Sequence, residues 1–574
     1  MSAFACLTRL ACAPLLLLLV VACGGKAPVV PESSAGGPDM PAPVVADLVI
    51  RARRVVTLDP AMDRRARPPE ALAVKAGRIV WIGERVGVED FVGPSTQRLD
   101  LPGATVVPGL VDSHAHLLSL GRALSEPDLA GATSEAEAIA RVVAAAGNGS
   151  TWVEGRGWDQ NDWPAQVFPT HHALSAAFPD RPVALRRVDG HALWANAAAL
   201  SAAGITAATP APPGGEIVRD AQGAPTGVLL DAAMGLVTRV IPPAPDVQVR
   251  RWVEAAIAAC HRVGLTGVHD AGASDASVRA FEALAAEGAL TLRTYMLLDA
   301  DDPTNAKRLE AGPQRGDWLT VGGVKLFADG ALGSRGAWLS APYSDAPQTS
   351  GIPIVHGAAL AERVRTYAAR GFQLGVHAIG DAAATDVLNA YAQVLTPDND
   401  RRFRLEHAQI VRPEDMRRMA TLRVLALVQP THATSDMPWA EKRLGPERIR
   451  WAYAWRSLKD AGARLVLGSD FPVEKPDAMD GLYAAVTRQD AAGQPEGGWY
   501  ASEALTAYEA LWGFTAEPAF AAFEEARRGR IAVGMDADLT VLGGDPLATP
   551  KSALRGLRVV HTIVGGRVVY SAPQ

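Results

Sequence analysis

Between residues 104 and 515 the chain alternates short runs of Val, Ile and Leu with alanine-rich helical stretches such as EAEAIARVVAAAG (135–147) and SVRAFEALAAEGA (277–289). Repeated strand–helix units predict a parallel sheet with helices outside it, and the polar residues that follow the strands then gather at one rim. Flanking this body, ADLVIRARRVVT (46–57) and ALAVKAGRIVWIG (71–83) alternate or run apolar with glycine punctuation, as short strands joined by a turn do. The same style returns in GRIAVGMDADLTVLGGDP from Gly529 and VVHTIVGGRVVY from Val559. Strands at both ends are expected to close into one small β domain.

Length and charge narrow the reading. At 574 residues the chain has room for three or four domains at about 150 residues each, or for one barrel with insertions. A hydrophobic fraction of 48% supports a large core and falls short of multiple membrane spans, and a net charge of −6 with no Lys/Arg run leaves no footprint for nucleic acid. The first 22 residues read differently. MSAFACLTRLACAPLLLLLVVA holds one Arg and a leucine-rich run too short to span a bilayer, the layout of a secretory signal. VVAC, ending at Cys23, resembles a bacterial lipobox, so Cys23 is the expected lipidation site; an ordinary signal peptide or an uncleaved anchor is the alternative. Residues 23–45, rich in Pro, Gly and Ser, suit a tether. The expected location is the cell envelope, lipid-anchored at the outer membrane and facing the periplasm. Cys260 is then the one free thiol of the mature chain besides the lipidated one, which rules out a disulfide framework.

Chemistry concentrates at the ends of the apolar runs. In VVPGLVDSHAHLLSLG, His114 and His116 are two residues apart, and in an extended strand both imidazoles project from one face. Further runs carry Lys325 (GGVKLFADG), His377 (LGVHAIGD), His407 (RLEHAQIV) and Asp470 (LGSDFPVE). Any one of these is more simply a structural residue. Together, at strand ends that share one mouth, they offer nitrogen and oxygen donors suited to a divalent cation, with zinc the leading choice.

This ordered set, with the phrases GGVKLFADGALGSRGAWL, VHAIGDAA, VQPTHATSD and LGSDFPVE, resembles the amidohydrolase 3 branch of the metal-dependent amidohydrolases, from about Ala46 to Tyr570. The resemblance implies an α/β fold: a (β/α)8 TIM-like barrel (104–515) with an inserted cap (about 125–260) and a β-sandwich from residues 46–103 and 516–574. It implies two metals, the first bound by His114, His116 and Asp470, the second by His377 and His407. Lys325, as a carbamate, would bridge them; a single-metal site with a plain lysine is the alternative. Asp470 would take a proton from the attacking water and return it to the leaving nitrogen of an amide substrate, of N-acyl or N-formyl type.

The stretch between the first two barrel strands holds WVEGRGWDQNDWP and PVALRRVDGHALWANAAAL, unusually rich in Trp, Arg, Asp and His for loops. Trp158 and His191 are the expected pocket-lining residues there, with Arg335 as a substrate clamp and His432 at the mouth; ordinary packing is the bland reading for each. His269 is expected to cap a structural strand. The partners expected are a small-molecule substrate and, through the lipid, a membrane, with self-association left open. Deamination, cyclic-amide or ester and lactone hydrolysis on the same scaffold, or a binding lipoprotein without catalysis, are the other classes.

Overall fold

Eight strands form the centre of the molecule: β1 (Leu110–Ala115), β2 (Leu265–Ala273), β3 (Arg293–Asp299), β4 (Leu319–Phe327), β5 (Gln373–Ala378), β6 (Arg404–His407), β7 (Leu425–Val428) and β8 (Leu465–Leu467). This computed structural model describes residues 44–573 apart from 64–66, 147–151, 189, 191 and 213–214; the leader, the tether and Cys23 lie outside the described residues. Each strand pairs in parallel with the next in chain order. Between β8 and β1 the ring is joined by Asp470 N donating to His114 O at 2.7 Å and Ser113 Oγ to Leu467 O at 2.6 Å. Helices cover the outside, so the strands are buried on both faces and read as near-continuous apolar runs. The polar exceptions, His114, Lys325, Arg404 and Glu406, are themselves buried.

The two ends of the chain meet in one seven-stranded sheet, ordered 567–571, 559–564, 539–542, 97–108, 48–55, 71–75 and 78–83. Its edges touch, because Ala537 N donates to Gly77 O at 2.8 Å and Gly566 N to Ala537 O at 3.0 Å. The sheet thus closes over a core that unites Ile50, Leu72 and Ile79 with Leu539 and Ile563. Its strand Gln97–Pro108 runs past the expected boundary at 103, and only Gly109 separates it from β1. That short link ties the terminal domain to the barrel.

The cap is a five-stranded sheet, ordered 153–158, 183–187, 192–195, 225–231 and 215–219, with apolar clusters on both faces. It ends before residue 260. Helix Asp246–Arg262, expected within the cap, belongs to the barrel: its Val253, Ala256 and Cys260 share the barrel core with Val268 of β2.

Helix Leu117–Ala123 starts directly after His116, with His116 as its N-cap. It lies so close to helix Asp246–Arg262 that a Cβ on Gly121 would sit 1.8 Å from the backbone oxygen of Trp252. Backbone cannot yield as a side chain tip can. Gly121→Ala is therefore expected to lower stability by about 1–3 kcal/mol, the usual cost of overpacking. A urea denaturation midpoint equal to that of the parent would contradict this packing.

Candidate metal centre

The site is built on strand ends where regular alternation is broken. Arg404 and Glu406 are i, i+2 neighbours on β6 and point inward together, which by alternation would turn His407 outward. His407 instead has φ +72° and Ala408 φ +41°, and the imidazole turns into the mouth. Asp470, three residues past β8, has φ +65°. Such conformations cost of order 1–3 kcal/mol each and persist where the surroundings impose them. Gly375 leaves space for Glu406, since a Cβ there would lie 2.5 Å from Glu406 Oε1.

Asp470 is the hub. Its Oδ1 lies 3.0 Å from His116 Nε2 and 3.6 Å from His114 Nε2, and its Oδ2 lies 3.7 Å from His432 Nε2. Among the described residues two donor sets result, His114/His116/Asp470 and His407/His432/Asp470, with all ligand atoms within 4.8 Å of one another in each. Lys325, 1% exposed, points Nζ at His114 Nε2 from 3.4 Å. His377 lies beside His407, ring centroids 4.4 Å apart, and turns Nε2 toward Gly330 O and Asp329 Oδ1, each 3.4 Å away. Asp329 accepts the backbone N–H groups of Ile379 at 3.0 Å, and of Gly380 and Trp338 at 2.8 Å each, holding the loops after β4 and β5 together.

Beneath the mouth lies a charged chain absent from the sequence reading. Arg404 donates to Glu406 Oε1 at 2.6 Å, to Ser113 O at 2.7 Å and toward His269 Nδ1 at 3.2 Å. Glu406 in turn accepts His114 Nδ1–H in a short hydrogen bond. Both charged side chains are fully buried. Burial by itself would raise the Glu406 carboxyl, but Arg404 and His114 hold it well below the usual carboxylate range. The bond to Nδ1 fixes the tautomer and leaves Nε2 of His114 free to face Asp470 and Lys325. The available signal in RFRLEH was an opposite-charge pair at i, i+2 inside an apolar strand.

The electrostatics suit a cation. Burial, with the Lys325 charge adding to it, pushes His114 down to about 4, and burial pushes His377 down to about 3 and His407 well below its ordinary value. These imidazoles are neutral lone-pair donors at neutral pH, as metal ligation requires. Burial opposes charge on His116, yet its bond to Asp470 raises its pKa, while Asp470 is held far below the usual range against its own burial. Among the buried atoms without a hydrogen-bond partner in the described residues is His432 Nε2, which faces Asp470 Oδ2. Neutral nitrogens, an ionised carboxylate and an unpartnered buried nitrogen fit a divalent cation.

The remaining expected site residues fall elsewhere. Trp158 does not line the mouth: it is 0% exposed in the cap's core, its Nε1 donating to Leu185 O at 2.8 Å and its ring 6.0 and 6.1 Å from those of Trp163 and Trp194. Large aromatic area in a small cap is used for its own packing. Arg335, at φ +60° in the loop after β4, is paired with Asp345 at 2.9 Å. His269 is buried against Arg404 and Tyr295, below the candidate donors. His432, expected only at the mouth, stacks parallel to His407 with 6.1 Å between centroids. His191 lies outside the described residues.

Comparison with known proteins agrees with this construction. The chain is 38% identical to the Bacillus subtilis protein YtcJ over 509 residues, covering 87% of this chain and 96% of that one. It is 32% identical to an Arthrobacter pascens N-substituted formamide deformylase over 549 residues, 91% and 98% of the two chains. The crystal structure of a metal-dependent hydrolase from Pyrococcus horikoshii superposes with a TM-score of 0.74 at 28% identity, over 88% of this chain and 98% of that one. Residues 97–570, which take in the barrel, the cap and nearly all of the C-terminal strands, match the amidohydrolase family, and the chain belongs to that family.

Proposed function

We propose that the protein is a metal-dependent hydrolase that cleaves a non-peptide C–N bond of a small molecule, an amide of N-acyl or N-formyl type. The observation that carries this is Asp470: one buried, ionised carboxylate facing four imidazoles at the open end of a barrel. The preference for an amide rests on likeness to the formamide deformylase, since fold alone does not choose the reaction.

His114, His116 and Asp470 would hold the first cation, with His407 and His377 donating to a second; zinc is our leading choice, two per chain. A divalent cation so placed lowers the pKa of water from about 16 to about 7 and polarises a carbonyl oxygen. The chain supplies the rest. Asp470 takes the proton of the attacking water on a carboxylate oxygen and passes it to the leaving nitrogen as the C–N bond breaks, so the products are a carboxylic acid and an amine. Glu406 keeps His114 in the tautomer that leaves Nε2 a lone pair. Lys325 sits where a carbamate would bridge: burial pushes its ammonium down to about 8, so a free amine is available to add CO2 with loss of one proton.

The reading is tested by screening the purified, metal-loaded protein against N-formyl, N-acyl, cyclic-amide and ester compounds, with and without a chelator. Hydrolysis of N-formyl or N-acyl amides, lost on chelation and restored by Zn2+, is the expected result. Turnover of esters or cyclic amides alone would replace the amide preference, and chelator-resistant activity would end the metal reading. Asp470→Asn and Lys325→Ala should fail differently. Asp470→Asn is expected to keep much of its metal and lose at least about 100-fold in rate, because an amide cannot carry the proton. Lys325→Ala is expected to lose the second metal and to recover in part with added short carboxylates. Unchanged metal content and rate in Lys325→Ala would remove the carbamate.

We also propose attachment to the envelope through lipid on Cys23. Cys23→Ser is expected to leave the membrane fraction and lose lipid label, since the tether carries no other apolar anchor. Identical fractionation without label in the parent would contradict it.

A further inference from the structure

Among the described residues, His432 is an imidazole at the mouth that the two-cation assignment under the proposed function leaves out. It lies in helix Pro430–Arg448, which follows β7, at the third position. Its Nε2 is buried and has no hydrogen-bond partner among the described residues, an arrangement that costs free energy unless something absent satisfies it. Three features say what that is. His432 Nε2 lies 3.7 Å from Asp470 Oδ2, the oxygen opposite the one that faces His116. His407 spends Nδ1 on Gln429 Oε1 at 3.0 Å, which leaves its Nε2 as the free lone pair. The two rings stand parallel, 13° apart, and their ligand atoms lie with an Asp470 oxygen within 4.8 Å of one another.

Two donors about 2.1 Å from one tetrahedral ion lie about 3.4 Å apart, close to the spacing of His432 Nε2 and Asp470 Oδ2. We infer that His432 is a metal ligand, completing with His407 and Asp470 a seat for the second cation beyond the donors that the family resemblance implies. The inference rests on the metal-hydrolase reading, and its test separates the two.

The test uses the full-length protein loaded with Co2+, read by metal content after gel filtration and by visible absorption. The parent is expected to hold two equivalents, and His432→Ala one, with loss of the corresponding part of the cobalt spectrum. His432→Cys supplies a thiolate where the imidazole stood, and is expected to keep two equivalents and to gain a sulfur-to-cobalt charge-transfer band. That band also guards against a merely misfolded alanine variant. If His432→Ala keeps two equivalents with an unchanged spectrum and only KM rises, His432 is a substrate contact and the inference is overturned. A parent that holds one equivalent overturns it as well, leaving the first cation in place; a parent that holds none overturns the metal reading itself.

Discussion

A buried chain of charge, Arg404 to Glu406 to His114, is the constraint around which the mouth of the barrel is arranged. Breaking a buried ion pair by removing one partner typically costs about 3–5 kcal/mol, because the other charge is left unpaired in low dielectric. The pair therefore cannot shift without penalty, and it joins β6 to β1 across the barrel through Ser113 O and the His114 ring. Its product is a fixed direction for one imidazole nitrogen. Everything above it, the Asp470 hub, Lys325 and the donors on β6 and after β7, is placed relative to that nitrogen.

Rigid strands below and strained turns above divide the work between stability and chemistry. The strand register brings Lys325 level with Gly375, and His377 level with Glu406, so the rows of side chains rise in order toward the mouth. At the top, His407 and Asp470 leave the β region and turn inward. Outside, close packing of helix Leu117–Ala123 against helix Asp246–Arg262 holds the segment that begins at His116. The cap has its own sheet and aromatic core.

Much of this was legible in the chain because parallel strands end at one face. The H-x-H of β1, Lys325, His377, His407 and Asp470 stand at the ends of apolar runs, and the fold gathers them at one mouth, with His114, His116, His407 and Asp470 in the candidate donor sets and His377 Nε2 turned toward Gly330 O. The partners that tune them were not legible. Glu406 precedes the candidate donor His407 by one residue, where alternation puts it on the opposite face, and only the positive φ of His407 brings both inward. His432 was expected at the mouth as a pocket residue; its place as a candidate donor was not legible, because it sits inside helix Pro430–Arg448 rather than at a strand end. Trp158 misled for the opposite reason: a tryptophan-rich stretch looks the same whether it lines a pocket or fills a small domain's core. The expected borders at 103 and 260 cut through strand Gln97–Pro108, which runs on to within one residue of β1, and helix Asp246–Arg262, which packs in the barrel core.

The account stands on a cation at the barrel mouth, and anomalous diffraction from crystals grown with Zn2+, recorded on both sides of the zinc absorption edge, tests it most directly. The expected result is a peak about 2.0–2.2 Å from His114 Nε2, His116 Nε2 and an Asp470 oxygen. Catalytically active crystals with no peak at this mouth would contradict it.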